Sequence, residues 1–439
     1  MRRIRRLPSD DSCNGWNALL PPRAPRPALR GDITADWVVV GAGYTGLAAA
    51  RRLAELRPQD HVVVLEAQTV ADGSSGRNSG FAIDLPHNIT SSVEELAQSH
   101  AYRRLARASI AHLRDLTTRH GIACDWSDSG KYHAAASPHG VRGVLEPTRQ
   151  ELERLEEPYE WLEGPALAAR LGTASFAAAL YTPGTVLLNP AALVRGLADS
   201  LPASVTLYEG SPVTGADLGS PVTLTTPHGT VRAARMILAV NGLAPQFGFF
   251  RNRLLPFSTY GSLTRPLTEA EYDALGRPAP WGLTPAHAFA GATLRLTNDR
   301  RLLVRQTVEY SPAFQRNAGH RARVAARHRA LLARRFPMLP EITFDTTWSG
   351  MICVSQNGAP GFGAVAPHIT AAVCHNGAGV TKGTIGGLLA ADLACGQDNP
   401  LIGDLLSLGQ PQAIPPRPAL DIGVRARFAW ELWTARHEA

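Results

Sequence analysis

The stretch Trp37–Phe81 constrains this chain more than any other. Val38, Val39 and Val40 form a short apolar, β-branched run of the kind buried in parallel sheets. Gly41, Gly43 and Gly46 follow at G-x-G-x-x-G spacing, and Leu47 to Leu56 carry apolar residues at helical intervals. Val62 to Leu65 form a second strand, closed by Glu66. Each part has a task at a dinucleotide site. Gly41 permits a sharp turn, Gly43 has no side chain to obstruct a pyrophosphate, and Gly46 lets the helix pack close to the sheet. The helix N-terminus offers free N–H groups and a positive dipole end to phosphate. Glu66 stands at the distance, about twenty residues beyond the last glycine, where a carboxylate accepts hydrogen bonds from a ribose diol. A carboxylate there repels a 2′-phosphate, which disfavours NADP. The fingerprint alone leaves FAD and NAD both open.

At 439 residues the chain has room for two domains and a large core. The net charge of +7 comes from basic residues spread along the chain, without a nucleic-acid motif, so they are expected to form solvated faces. Lys131 and Lys382 are the only lysines among many arginines. Cys13, Cys124, Cys353, Cys374 and Cys395 are odd in number and lack C-x-x-C spacing, which argues against a disulfide framework or a zinc site and for a reducing compartment. No apolar run has signal-peptide or membrane-spanning length, so the cytoplasm is the expected location.

Residues 1–31 are rich in Pro and Arg and read as an extended surface arm anchored by Trp16. After the dinucleotide unit, the run GSSGRNSGF at 73–81 can bring backbone close to a flat ligand. Ser92 and Glu95 fit a capping box, opening an amphipathic helical region through Leu116. Cys124 to Ala136 read as strands around a turn, 148–157 and 191–201 as helices, and 205–240 as a β-meander ending in MILAVNG. Strands are expected at 258–263, 293–297 and 302–308, and a helix at 321–336. Ile369 to Cys374 form a strand that leads through Asn376-Gly377-Ala378-Gly379 into a small-residue helix, a second glycine turn aimed at a ligand. The tail holds an aromatic amphipathic helix near 424–436, expected to pack on the body rather than on a membrane.

With a glycine turn at each end, the chain resembles the D-amino-acid-oxidase-like FAD oxidoreductases, most closely the branch of gamma-glutamylputrescine oxidase and bacterial L-pipecolate oxidases. The resemblance rests on VVVGAGYTGLAAARRLAE (38–55), GSSGRNSG (73–80), SGKYHAA (129–135), MILAVNG (236–242), LRLTNDRRLL (294–303), WSG (348–350), APGFG (359–363) and NGAGVTKGTIGGLLAADL (376–393). It implies a fold of mixed α/β and α+β class: a Rossmann-like FAD-binding domain plus a mixed-sheet substrate domain, both discontinuous. The expected boundaries are 32–120, 186–250 and 345–400 for the FAD domain and 121–185 and 251–344 for the substrate domain, with a tail at 401–439. It also implies hydride transfer from a carbon bearing nitrogen to flavin N5, giving an imine, with the reduced flavin reoxidised by dioxygen to H2O2. Some relatives attach flavin through a cysteine where this chain has Gly350, so non-covalent FAD is expected. Met351 and Ile352 stand where relatives acting on simple amino acids carry a carboxylate-binding arginine.

The residues expected at the cofactor are Gly41, Ala42, Gly43, Tyr44, Thr45, Gly46, Glu66, Ala67, Ser74, Ser75, Gly76, Arg77, Asn78, Ser79, Gly80, Val213, Asn241, Gly242, Gly350, Gly377, Gly379, Val380, Thr381 and Lys382. On the substrate side, Arg295 would face a carboxylate from a sheet strand, Lys131 and Tyr260 would line the pocket, and Lys382 would offset negative charge on the reduced flavin. The expected substrate is a small amine or amino acid, with L-pipecolate the first choice and a glutamylputrescine-type amine the second. An FAD dehydrogenase serving quinone, or an FAD-holding sensor without turnover, are further readings.

Overall fold

A computed structural model describes residues 1–8, 14–86, 98–312 and 318–438. The capping box of Ser92 and Glu95 lies outside them; the helix downstream runs Ser99–Arg119.

Two large sheets organise the molecule. The first has nine strands. Val205–Tyr208, Val62–Leu65, Gly31–Val40 and Gly229–Leu238 run side by side and parallel. Their central valines, Val38, Val39, Val62, Val63 and Val64, are wholly buried, as expected of strands covered on both faces. The long strand Gly229–Leu238 then divides the sheet. Its first half pairs antiparallel with Val222–Thr225, and its last residues pair parallel with Ile369–Val373. The first strand of the expected meander thus belongs to the parallel core, and only the three after it form a meander. Helices Tyr44–Leu56 and Gly379–Ala394 pack against each other so closely that a Cβ on Gly387 would lie 2.0 Å from the Thr45 carbonyl oxygen.

The second sheet has eight strands, in the order Phe344–Val354, Leu255–Thr264, Leu302–Tyr310, Thr293–Leu296, Trp281–Pro285, Lys131–Ala135, Ala178–Thr182 and Glu160–Glu163. It is mixed, because Trp281–Pro285 and Lys131–Ala135 run parallel while their other neighbours are antiparallel. Helix Ala318–Arg335 lies on one face, where Ser262 Oγ meets His328 Nδ1 at 2.7 Å. The other face looks toward the first sheet.

Several elements depart from the sequence reading. Phe344–Val354 is hydrogen-bonded into the second sheet, whereas the sequence reading places 345 onward in the FAD domain. Trp281–Pro285 was not foreseen as a strand. The N-terminal arm is tied to the body: Arg2 and Arg3 pair with Ala216 and Gly215, and Trp16 and Leu29 are buried.

Candidate active site

A deep cleft runs between the two sheets, and both glycine turns open into it. Gly41 to Thr45 form one end of its floor, and Gly377 to Val380 another. The turns are joined directly, since Thr45 Oγ1 lies 2.9 Å from His375 Nε2. Gly41 has φ +101°, which a side chain would resist, and a Cβ on Gly46 would lie 1.7 Å from the Gly41 carbonyl oxygen. Helices Tyr44–Leu56 and Gly379–Ala394 both begin at the cleft without a side-chain cap and without an acid in the first turn. Two positive helix ends thus face one space, a setting for anionic groups.

Glu66 lines the cleft beside the first turn. Its Oε2 accepts from the Ala42 amide at 2.8 Å and its Oε1 from the Gln68 amide at 3.0 Å. Burial pushes its carboxyl above the usual range, and these amides oppose that shift. Ala67, Val213, Asn241 and Gly242 continue the wall. The loop 73–80 crosses the middle of the cleft. Ser75 Oγ accepts from the Tyr44 amide at 3.1 Å, and Ser74 Oγ donates to the Met351 carbonyl at 2.6 Å. Arg77 Nη1 donates to the Ser349 carbonyl at 3.1 Å, while Trp348 and Trp16 donate to the carbonyls of Arg77 and Asn78 at 3.0 and 2.8 Å. Ser74, Ser75, Arg77, Asn78 and Ser79 line the cleft; Gly76 and Gly80 shape the loop, a Cβ on Gly76 meeting the Ala71 carbonyl oxygen at 2.2 Å. Gly350 leaves the cleft wall without a side chain opposite Arg77. This cradle fits an extended dinucleotide with a flat ring: two bare helix ends for charge, a carboxylate for a diol, and backbone approached at Gly43, Gly350 and Gly379.

Over the cleft the second sheet presents Thr259, Gly261, Thr284, Thr293, Leu303, Arg305 and Met351. None of the four residues expected on the substrate side is among those that line the cleft. Tyr260 alternates to the helix-covered face, where its Oη donates to Glu309 Oε2 at 3.0 Å and its ring meets His320. Arg295 shares the cleft-facing side with Thr293 but sits deeper. Its Nη1 donates to the Leu188 carbonyl at 2.6 Å and the Gly80 carbonyl at 3.3 Å, under the Trp16 ring. Lys131 is buried near Asp84, and burial lowers its ammonium to about 8. Lys382 lies behind the glycine turn, its Nζ 4.6 Å from the centre of the Tyr102 ring, beside a small apolar cavity that also touches His375. Thr381 is buried in the helix packing, its carbonyl accepting from Ser109 Oγ. His375 itself is held down to about 4 by burial and by the Lys382 charge, so it is neutral at pH 7.

The sequence reading missed Arg305. It is half-buried on the cleft, with Nη1 3.4 Å from the Ala288 carbonyl oxygen, and burial lowers its guanidinium to about 10, still cationic at pH 7. The available signal was a lone arginine in an apolar strand run, LLVRQTV, two residues from Leu303 and so on the same face. Cys353 also lines the cleft; its thiol is pushed well above the usual range by neighbouring Cys374 and by burial, which disfavours the thiolate. Among the described residues, no group of three or more His, Cys, Asp or Glu could hold a metal ion.

A family model described as DAO, FAD dependent oxidoreductase, matches residues 36–393. Gamma-glutamylputrescine oxidoreductase of Escherichia coli (strain K12) is 28% identical over 383 residues, covering 85% of this chain and 86% of that protein. A probable oxidoreductase OrdL of Haemophilus influenzae is 26% identical over 383 residues, covering 84% of each. Among solved structures, glycine oxidase from Geobacillus kaustophilus is similar with a TM-score of 0.68 at 22% identity, covering 83% of this chain and 96% of that one. L-proline dehydrogenase from P. horikoshii is similar with a TM-score of 0.67 at 16% identity, covering 84% and 96%. These two likenesses establish a shared fold.

Proposed function

The chain belongs to the DAO family of FAD-dependent oxidoreductases, and we propose that it holds FAD without a covalent bond and oxidises an amine or amino acid that carries an acidic group. When bound, the flavin supplies the acceptor for a hydride leaving the carbon next to nitrogen. The chain supplies the enclosure. The two glycine turns, Glu66 and loop 73–80 would grip the dinucleotide, and Gly350 would leave the ring face open. Non-covalent binding is supported by the absence of a cysteine at Gly350 and by the raised thiol of Cys353.

The observation that carries the substrate reading is Arg305. It is the cation of the second sheet that lines the cleft, set among Thr293, Leu303 and Thr284. A guanidinium there would take a carboxylate and orient the C–H bond under the sheet. A cyclic secondary amino acid such as L-pipecolate satisfies this, and so does the glutamyl carboxylate of a glutamylputrescine-type amine. No basic side chain is required of the protein if the amine enters neutral.

The test is anaerobic mixing of purified yellow protein with imino acids, amino acids and acylated polyamines, followed by flavin absorbance. Bleaching by an acid-bearing amine is the expected result. If no amine bleaches the flavin, the reading is wrong and a non-turnover FAD protein takes its place. Peroxide formed under air would identify an oxidase; turnover only with a quinone analogue would identify a dehydrogenase.

A further inference from the structure

We propose that the C-terminal helix Ala419–Thr434 docks this protein on the surface of a membrane that bears anionic lipids. The helix has two distinct faces. The inner one is fully engaged. Phe428 stacks on Phe257 and meets Phe289 edge-on, with ring centres 5.9 and 4.9 Å apart. Tyr310 Oη donates to Asp421 Oδ1 at 2.8 Å, and His287 Nε2 lies 3.0 Å from Glu431 Oε2. Just beyond the helix, Glu438 accepts from the amides of Ala136 and Ser137. The helix is therefore held to the body by this inner face.

That outer face carries Ile422, Ala426, Ala429, Trp430 and Trp433 at helical spacing, all exposed. Ile422 is 68% exposed, Trp430 50% and Trp433 64%, with Leu432 beside them at 41%. Four of the eight large apolar side chains exposed among the described residues thus lie on this one helix, a concentration that scattered surface apolars do not produce. Charge selects the occupant. Both acids of the helix, Asp421 and Glu431, turn inward, whereas Arg425 and Arg436 flank the apolar stripe. Arg427 stacks on Trp430 at 4.6 Å and Arg436 on Trp433 at 4.9 Å. A symmetric contact with a second copy would bring like cations together. A lipid headgroup layer instead takes indole rings at its depth and gives guanidinium groups phosphates to meet. At 16 residues the helix would lie flat, and among the described residues no helix is long and apolar enough to cross a membrane.

The test is co-sedimentation of the full-length, FAD-loaded protein with vesicles of phosphatidylcholine mixed with phosphatidylglycerol, against phosphatidylcholine alone. Binding to the mixed vesicles alone, weakening as salt rises, is expected. Trp430→Ser with Trp433→Ser should weaken it about 100-fold, and Arg425→Gln with Arg436→Gln roughly 25-fold, with flavin content and melting temperature unchanged. Protein that stays in the supernatant with both vesicle types would overturn the proposal. So would self-association, without vesicles, that the paired tryptophan substitution abolishes, because a second copy would then cover the face.

Discussion

Arg295 and Arg305 stand on neighbouring strands of one sheet face, paired with Leu303 and Thr293 respectively, yet they have different work. Arg295 is consumed by backbone carbonyls of loop 79–80 and Leu188 and ties the second sheet to the loop 73–80. Arg305 meets the cleft. Arg305→Met should therefore raise KM for an acid-bearing amine by roughly 10- to 100-fold, the value of a charge-assisted hydrogen bond, with FAD content unchanged in steady-state and absorbance measurements. Arg295→Met should instead cost about 2–4 kcal/mol in a denaturant melt, because buried carbonyls lose their donor. Lys131 makes a third case. Its ammonium is lowered from an ordinary 10.5 to about 8, first by burial and against the opposing pull of Asp84. The unfolded chain then binds the extra proton between those values, so this residue makes stability rise with pH from about 8 to about 10.5. Lys131→Met should remove that rise, and below pH 8 the variant should be more stable by up to roughly 3 kcal/mol. Equal pH slopes in paired melts of the two proteins would refute this.

At the scale of elements, two of the four glycines of the helix Gly379–Ala394 have opposite roles. A Cβ on Gly387 would meet the Thr45 carbonyl at 2.0 Å, whereas one on Gly379 would meet nothing within 4 Å and would project at the cleft. Gly387→Ala should therefore lower the melting temperature of the apoprotein. Gly379→Ala should leave that temperature unchanged or slightly raised and weaken FAD binding by roughly tenfold, read by titration of apoprotein with FAD. The nucleotide half was legible because its geometry is local. A strand, a glycine turn and a helix within one short stretch dictate where the backbone approaches a ligand. The roof was not, because it depends on register between strands far apart in the chain. The pairing of Leu255–Thr264 shifts between Thr259 and Tyr260, and whether Thr259 or Tyr260 faces the cleft cannot be read from alternation alone. Trp281–Pro285 ends in proline and is held between Thr293–Leu296, the next strand in the chain, and Lys131–Ala135, about 150 residues earlier. Phe344–Val354 crossed the expected boundary for the same reason: its partner is Leu255–Thr264, and it carries Gly350 to Cys353 into the cleft wall from the second sheet.

For the whole molecule, the cleft is the feature that ties distant parts together. Its lining runs from Ile4 in the arm, through both glycine turns and the loop 73–79, to the sheet roof and Val380. A ligand there touches both sheets at once and binds no equivalent surface in the unfolded chain, so its affinity adds directly to folding stability. Free FAD at a hundredfold excess over its dissociation constant should contribute about 2.7 kcal/mol, and the melting temperature of apoprotein should climb with FAD concentration. NAD lacks the flavin ring that the Gly350 wall and the second helix end would accommodate under the proposed function, and at the same concentration it should leave the melt unmoved. The same experiment on Gly379→Ala should need roughly tenfold more FAD for an equal shift, which ties the effect to the second glycine turn and not to the fingerprint alone. A melt that responds to NAD and ignores FAD would reverse the cofactor assignment that G-x-G-x-x-G spacing leaves open.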